Sequence, residues 1–151
     1  MTTTLANREP ETFLGARAIM HCPVDVLIPY ARNARTHSEA QVALIAGSIR
    51  EFGFTNPVLV DGANGIIAGH GRVLAARKLG LATVPVIELA HLTETQKRAY
   101  ILADNKLAEQ AGWDRAMLAL EAGELNDLGL DLTALGFETG EIDALLDHGV
   151  A

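Results

Sequence analysis

Gly69-His70-Gly71-Arg72 lies between the apolar runs Ile66-Ile67-Ala68 and Val73-Leu74-Ala75-Ala76. A strand that enters a helix through such a bend offers amides a ligand can approach closely, because glycine bends sharply and adds no side chain. The first N–H groups of the helix have no intrahelical partner and carry partial positive charge, so they suit an anion. Arg72 falls in that first turn, where the helix dipole disfavours a cation by some tenths of a kcal/mol. An anion held between the guanidinium and the amides reverses that sign, and a guanidinium grips phosphate through two parallel bonds. The competing reading is a plain glycine turn with a surface arginine, since Gly-x-Gly bends are common. His70 could donate to a phosphate, act as acid or base, or pack; the first role is placed slightly ahead.

Two further groups carry donors. Arg32-Asn33-Ala34-Arg35-Thr36-His37 precedes a helix-like run, and its mixed donors suit phosphate or sugar contacts. Taken alone it also reads as a solvated loop. Asp104-Asn105-Lys106, followed by Glu109-Gln110, lies within a helical pattern in which Asn is a poor helix former, so a functional or capping role would account for Asn105. Cys22 reads as a small buried hydrophobe rather than a nucleophile. His21, His37, His91 and His148 lack the i, i+4 spacing of a metal pair, and no metal ligand is assigned. Asp61, Glu88 and Asp104 are the acids that flank the bend, and they form no convincing metal–carboxylate cluster.

The elements that must position these groups are short. The chain has 151 residues, 49% of them hydrophobic, with a single cysteine and a net charge of −7. That supports one modest core and excludes a disulfide framework; no stretch approaches the ~20 apolar residues of a membrane span. With no signal-like leader, a reducing, cytoplasmic setting is the default. Positive and negative side chains nearly balance over residues 25–110, whereas one arginine, Arg115, faces nine acids over 111–151. Such an acidic balance argues against nonspecific DNA binding by the whole chain but leaves room for a local basic pocket. Residues 1–17 read as a polar arm. Ala16 to Ile28 reads as one or two strands split by Pro23. Ser38 caps a helix that stops at Gly53. Pro57–Val60 and Gly65–Gly69 form a hairpin turned by Asp61-Gly62-Ala63-Asn64. A helix runs from His70 to Gly80, a strand from Ala82 to Ala90, and Thr93 with Gln96 forms a capping box for the next helix. Two or three short helices follow. The order predicts an α+β fold, a small mixed sheet packed with helices and followed by short C-terminal helices.

With these parts in order, the run from Leu27 to Leu89 resembles the ParB N-terminal domain of the ParB/sulfiredoxin superfamily, over about residues 20–112. Asn33 and Arg35 with the following helix look like the first family box. Gly69-His70-Gly71-Arg72 stands where partition proteins carry Gly-Glu-Arg-Arg, and Asp104-Asn105-Lys106 where they carry a Glu-Asn-x-x-Arg-like motif. The resemblance implies a module over 18–112 that binds a nucleoside triphosphate, CTP foremost, with Mg²⁺ and acts in DNA binding or DNA transactions. It implies phosphate contacts by Gly69, His70, Gly71 and Arg72, nearby contacts by Asn105 and Lys106, and a weaker one by Arg35. Pairing as a homodimer fits the same resemblance. The substitution of His70-Gly71 for Glu-Arg removes one cation and one acid, which puts hydrolysis and base preference in question; no catalytic residue is assigned. Sulfiredoxins carry a catalytic Cys in this turn, and this chain has none there. The roughly hundred-residue helix-turn-helix reader of partition proteins finds no room, and 113–151 is expected to be an acidic helical extension. The stretch from Lys97 to Asp114 and the ending from Leu132 to Leu146 look more like modules of phage and mobile elements that precede a DNA methyltransferase. Two rivals stay open: an enzyme on the same scaffold (nuclease, NTPase or small-molecule kinase), and an interaction module that recruits a DNA methyltransferase.

Overall fold

The computed structural model describes residues 18–33 and 35–148; the arm expected at 1–17 lies outside them. Strand β1 (Met20–Pro23) leads into a 3-10 turn (Val24–Val26), and helix α1 (Glu39–Phe52) follows a loop. The hairpin β2 (Val58–Val60) and β3 (Ile66–Ala68) then feeds α2 (His70–Leu79), β4 (Thr83–Glu88) and the long helix α3 (Glu94–Gln110). Helix α4 (Arg115–Asp127), a 3-10 turn (Leu132–Leu135) and α5 (Thr139–His148) complete the order.

The sheet order is β1-β4-β2-β3, with β4 antiparallel to β1 but parallel to β2. The sheet is therefore mixed, and the fold is the α+β architecture expected. Of the one or two strands expected over Ala16 to Ile28, one forms; after Pro23 the chain makes the 3-10 turn, and only Ile28 rejoins the sheet through an isolated bridge to Gly65. This turn buries Val24 and Leu27 together in the core, which an extended chain with its two-residue alternation would not place side by side with two residues between them. The hairpin turn is an Asx turn: Asp61 Oδ1 accepts from the amides of Ala63 and Gly65, and Asn64 rather than Gly62 takes the positive φ of 63°.

Alternation along the strands divides the core in two. Val58, Val60, Ile66, Val84 and Val86 face one side, where they meet Val24, Leu27 and the α2 residues Val73 and Ala76. Leu59, Ile67 and Ile87 face the other, where Ile101 of α3 and Leu89 cover them. α1 packs on α2 through Val42, Ala46 and Ala75. A separate cluster of Ala119, Ala122, Leu132 and Leu145 holds α4, the second 3-10 turn and α5 together, and that turn rests against α1. Cys22 is half-buried against the first core cluster.

Candidate functional site

Three elements converge where β3 passes into α2. Gly69 takes φ 104° and ψ 22°, a left-handed bend in which a β-carbon would also lie 2.9 Å from the Arg72 guanidinium. Glycine is therefore required twice over at this position. It precedes α2 as its N-cap and supplies no side-chain cap, and the first turn of α2 contains no acid. In contrast, Ser38 caps α1, Thr93 with Gln96 makes a complete capping box on α3, and Asp114 caps α4. The sequence thus closes three helix N-termini with its own oxygens and leaves that of α2 open.

That open end faces a cleft of about 440 Å³, within the range of small-molecule sites. Asn33, Arg35 and His37 line it from the loop before α1, Gly69 to Arg72 from α2, and Tyr100, Asp104 and Asn105 from α3. Asn56, Pro57, Leu59 and Ile87 are also part of the wall. Arg72 folds back along the bend and donates from Nη2 to the Pro57 carbonyl at 2.9 Å. Its Nε–H is buried with no hydrogen-bond partner, and among the described residues the guanidinium makes no ion pair. Burial lowers its pKa, offset in part by Asp104. A buried N–H left unmade costs about 1–3 kcal/mol, a deficit that an anionic acceptor would remove.

His70 is placed differently from its expected role as a phosphate donor. Its Nε2 accepts the amide N–H of Tyr30 at 3.0 Å, so that nitrogen is committed as a lone pair and the ring is neutral in this arrangement. Burial, and then the neighbouring His37, hold its pKa below the usual imidazole range, in agreement with that assignment. The side chain ties the loop to α2, while its backbone amide stays in the open turn. Asn105 lines the cleft and donates from Nδ2 to the Ile101 carbonyl at 2.9 Å, which accounts for an Asn inside a helix. Lys106 is the exception: it does not line the cleft, is exposed, and lies 3.6 Å from Glu109 on the outer surface of α3. The cleft face of α3 is instead Tyr100, Asp104 and Ala108, at steps of four, with Ile101 and Asn105 beside them. Those steps were the available signal; one further residue along the helix turns Lys106 about 100° away. Asp104, expected to flank the bend, and His37, within the donor-rich loop, both line the cleft, whereas Tyr100 was not singled out, because only the tertiary fold brings it there.

α3 is held over the cleft by Ile101 and by Lys97, whose Nζ donates to Asp61 Oδ2 at 2.9 Å and to Glu94 at 3.1 Å. Hydrogen bonds to Asp61 and then Glu94 raise the Lys97 pKa. Burial pushes the Asp61 carboxyl up, but the bonds from Lys97, Ala63 and Gly65 outweigh it and hold the pKa below the usual range. Among the described residues no group of three or more His, Cys, Asp or Glu could hold a metal ion. No helix of the described residues is long and apolar enough to cross a membrane.

The comparisons with known proteins fall on the same segments. The family model "ParB N-terminal domain" matches residues 8–106, and "ParB-methyltransferase HTH domain" matches 116–151. The second match bears on the expectation that a helix-turn-helix reader finds no room: a much shorter unit of that type falls on α4 to α5. The ParB-like nuclease domain-containing protein YnaK of Escherichia coli K12 is 56% identical over 80 residues, 53% of this chain and 92% of YnaK. A nucleoid occlusion protein of Geobacillus kaustophilus is 30% identical over 129 residues, 82% of this chain but 46% of that protein. Among solved structures, the truncated chromosome-partitioning protein ParB of Caulobacter crescentus complexed with CTP-γ-S aligns at TM-score 0.64 and 23% identity, over 80% of this chain and 69% of that one. The same protein complexed to the centromeric parS site aligns at TM-score 0.50 and 19% identity, over 84% and 70%. At these identities the structures establish the shared fold.

Proposed function

The chain belongs to the ParB N-terminal domain family, and from that premise we propose that its cleft binds the phosphate chain of a nucleoside triphosphate, CTP foremost, in a module that acts in DNA transactions. The observation that carries this reading is the open N-terminus of α2 beside a half-buried arginine whose buried Nε–H lacks an acceptor. The residues that carry these donors, Gly69 to Arg72, line one cleft, and a phosphate supplies acceptor oxygens with the right charge. Gly69, Gly71 and Arg72 are the primary contacts, His70 contributes its backbone amide, and Asn105 and Arg35 close the walls. Lys106 has no part in the cleft as it stands. Asp104 and the Asn105 carbonyl suit a Mg²⁺ ion, which commonly takes one or two protein oxygens and leaves the rest to phosphate and water. Such an ion would neutralise phosphate charge in a cleft that offers two arginines.

The relatives support the wider role. A relative is named for nucleoid occlusion, and the Caulobacter protein of the same fold is seen with CTP-γ-S and with parS. The match over 116–151 supports a link to a DNA methyltransferase and keeps the recruiting module as the second reading. The test is a calorimetric screen of CTP, ATP and GTP with Mg²⁺, with and without duplex DNA. Saturable heat with at least one nucleotide, lost about 10- to 150-fold in affinity in Arg72→Ala, is the expected result. Silence with all three at millimolar concentration, together with tight binding to a methyltransferase, would move the reading to the recruiting module.

A further inference from the structure

Position 71 carries no side chain, and the structure shows what occupies its place. A β-carbon there would lie 3.0 Å from Cε1 and Nδ1 of His37 and 2.9 Å from the Ile45 methyl. Gly71 is itself buried, and the His37 ring covers it while lining the cleft. The ring is held: Nδ1 lies 2.9 Å from Oε1 of Gln41, in the first turn of α1. With the amide oxygen as acceptor, Nδ1 carries the proton, so Nε2 is a lone pair in the neutral ring and a donor only in the charged one. The other side chains at the helix end are committed, His70 to Tyr30 and the Arg72 Nη2 to Pro57.

We propose that His37 is a further phosphate-binding side chain of the cleft, seated in the space left by Gly71, and that it engages the ligand as an imidazolium. This inference rests on the nucleotide reading above. Without an anion, a charged ring at this point sits among Arg35, His70 and Arg72, with only Asp104 of opposite sign and Tyr100 and Gln41 uncharged. A phosphate reverses that balance, so binding draws a proton onto Nε2, which then donates to a phosphate oxygen.

The test is titration calorimetry of CTP, ATP and GTP with Mg²⁺, and of the corresponding monophosphates, in two buffers of different ionisation enthalpy. The wild-type chain is expected to take up a proton on binding. His37→Gln is expected to lose the uptake and about ten-fold in triphosphate affinity, with a smaller loss for the monophosphate. A ring that served packing alone would weaken both ligands equally and leave the uptake in place. Gly71→Arg is expected to bind poorly in the wild-type background, where His37 blocks the new side chain, and to regain affinity when combined with His37→Ala. Wild-type affinity, selectivity and proton uptake in His37→Gln would overturn the proposal while leaving nucleotide binding intact. A wild-type chain that binds no nucleotide would overturn the reading on which it rests.

Discussion

The N-termini of α2 and α3 are finished in opposite ways. At α3, Thr93 accepts from the Gln96 amide while Gln96 Oε1 accepts from the Thr93 amide, and Lys97 anchors the turn to Asp61. At α2, no side chain caps the helix, the preceding residue is a left-handed glycine, and an arginine stands where the dipole disfavours it. The difference teaches which amides serve the fold and which are left for a ligand. The C-terminal unit repeats the lesson. Its acids are spent partly on its own turns, Asp114 on the Met117 amide and Asp131 on Thr133, and its groove of about 590 Å³ is lined by Trp113, Leu118, Phe137 and Leu145. That groove has one cation, Arg115, and one acid, Glu141, so its chemistry suits an apolar partner better than a phosphate chain.

The contrast can be broken most strongly at Gly69. Gly69→Val forces a β-branched residue into a positive φ and onto the guanidinium, and is expected to abolish nucleotide binding and to lower unfolding stability by about 2–3 kcal/mol in chemical denaturation. Leu132→Ala tests the other unit: it removes a buried side chain of the C-terminal cluster and should cost about 2–4 kcal/mol of stability while leaving nucleotide affinity within two-fold. Arg72→Met separates binding from folding at the open end. It should lose affinity at least ten-fold yet change stability by less than about 1 kcal/mol, because it removes one hydrogen bond together with one buried unsatisfied N–H. Thr93→Ala is the matching change at the closed end, with about 1 kcal/mol of stability lost and affinity nearly unchanged.

The smallest effect is in pH. The His70 pKa is lower in the folded chain than in the unfolded one, so the unfolded chain binds the proton more readily. Stability is fully present above about pH 6.5 and declines as the pH falls below it, until the folded-state pKa is passed. Denaturation midpoints at pH 7.5 and 5.5 should differ in this direction, and the difference should shrink in His70→Gln.

Local signals made most of the elements legible. Ser38, Gly53, Thr93 with Gln96, and Gly80 mark helix ends through backbone chemistry that acts over a few residues, and the structure places α1, α2 and α3 between them. The parallel pairing of β2 with β4 was not legible, since it joins residues far apart in sequence, and neither was the 3-10 turn after Pro23. The cleft divides the same way. Gly69 to Arg72 stood out because their types conflict with a plain helix start. His37, Tyr100 and Asp104 carry no such conflict, and only the packing of α1 on α2 and of α3 on the other face of the sheet brings them to the cleft. Lys106 shows the converse: proximity in sequence to Asn105 does not survive the 100° turn between neighbouring helical residues.

The most direct test of an open α2 N-terminus is to follow the backbone amide resonances of the full chain by NMR while CTP, ATP or GTP with Mg²⁺ is added. The amides of Gly69, His70, Gly71 and Arg72 are expected to shift most, with Gln96 and Met117 at the capped ends nearly still. Saturable binding that moved the amides of the C-terminal unit and left those four in place would contradict the assignment.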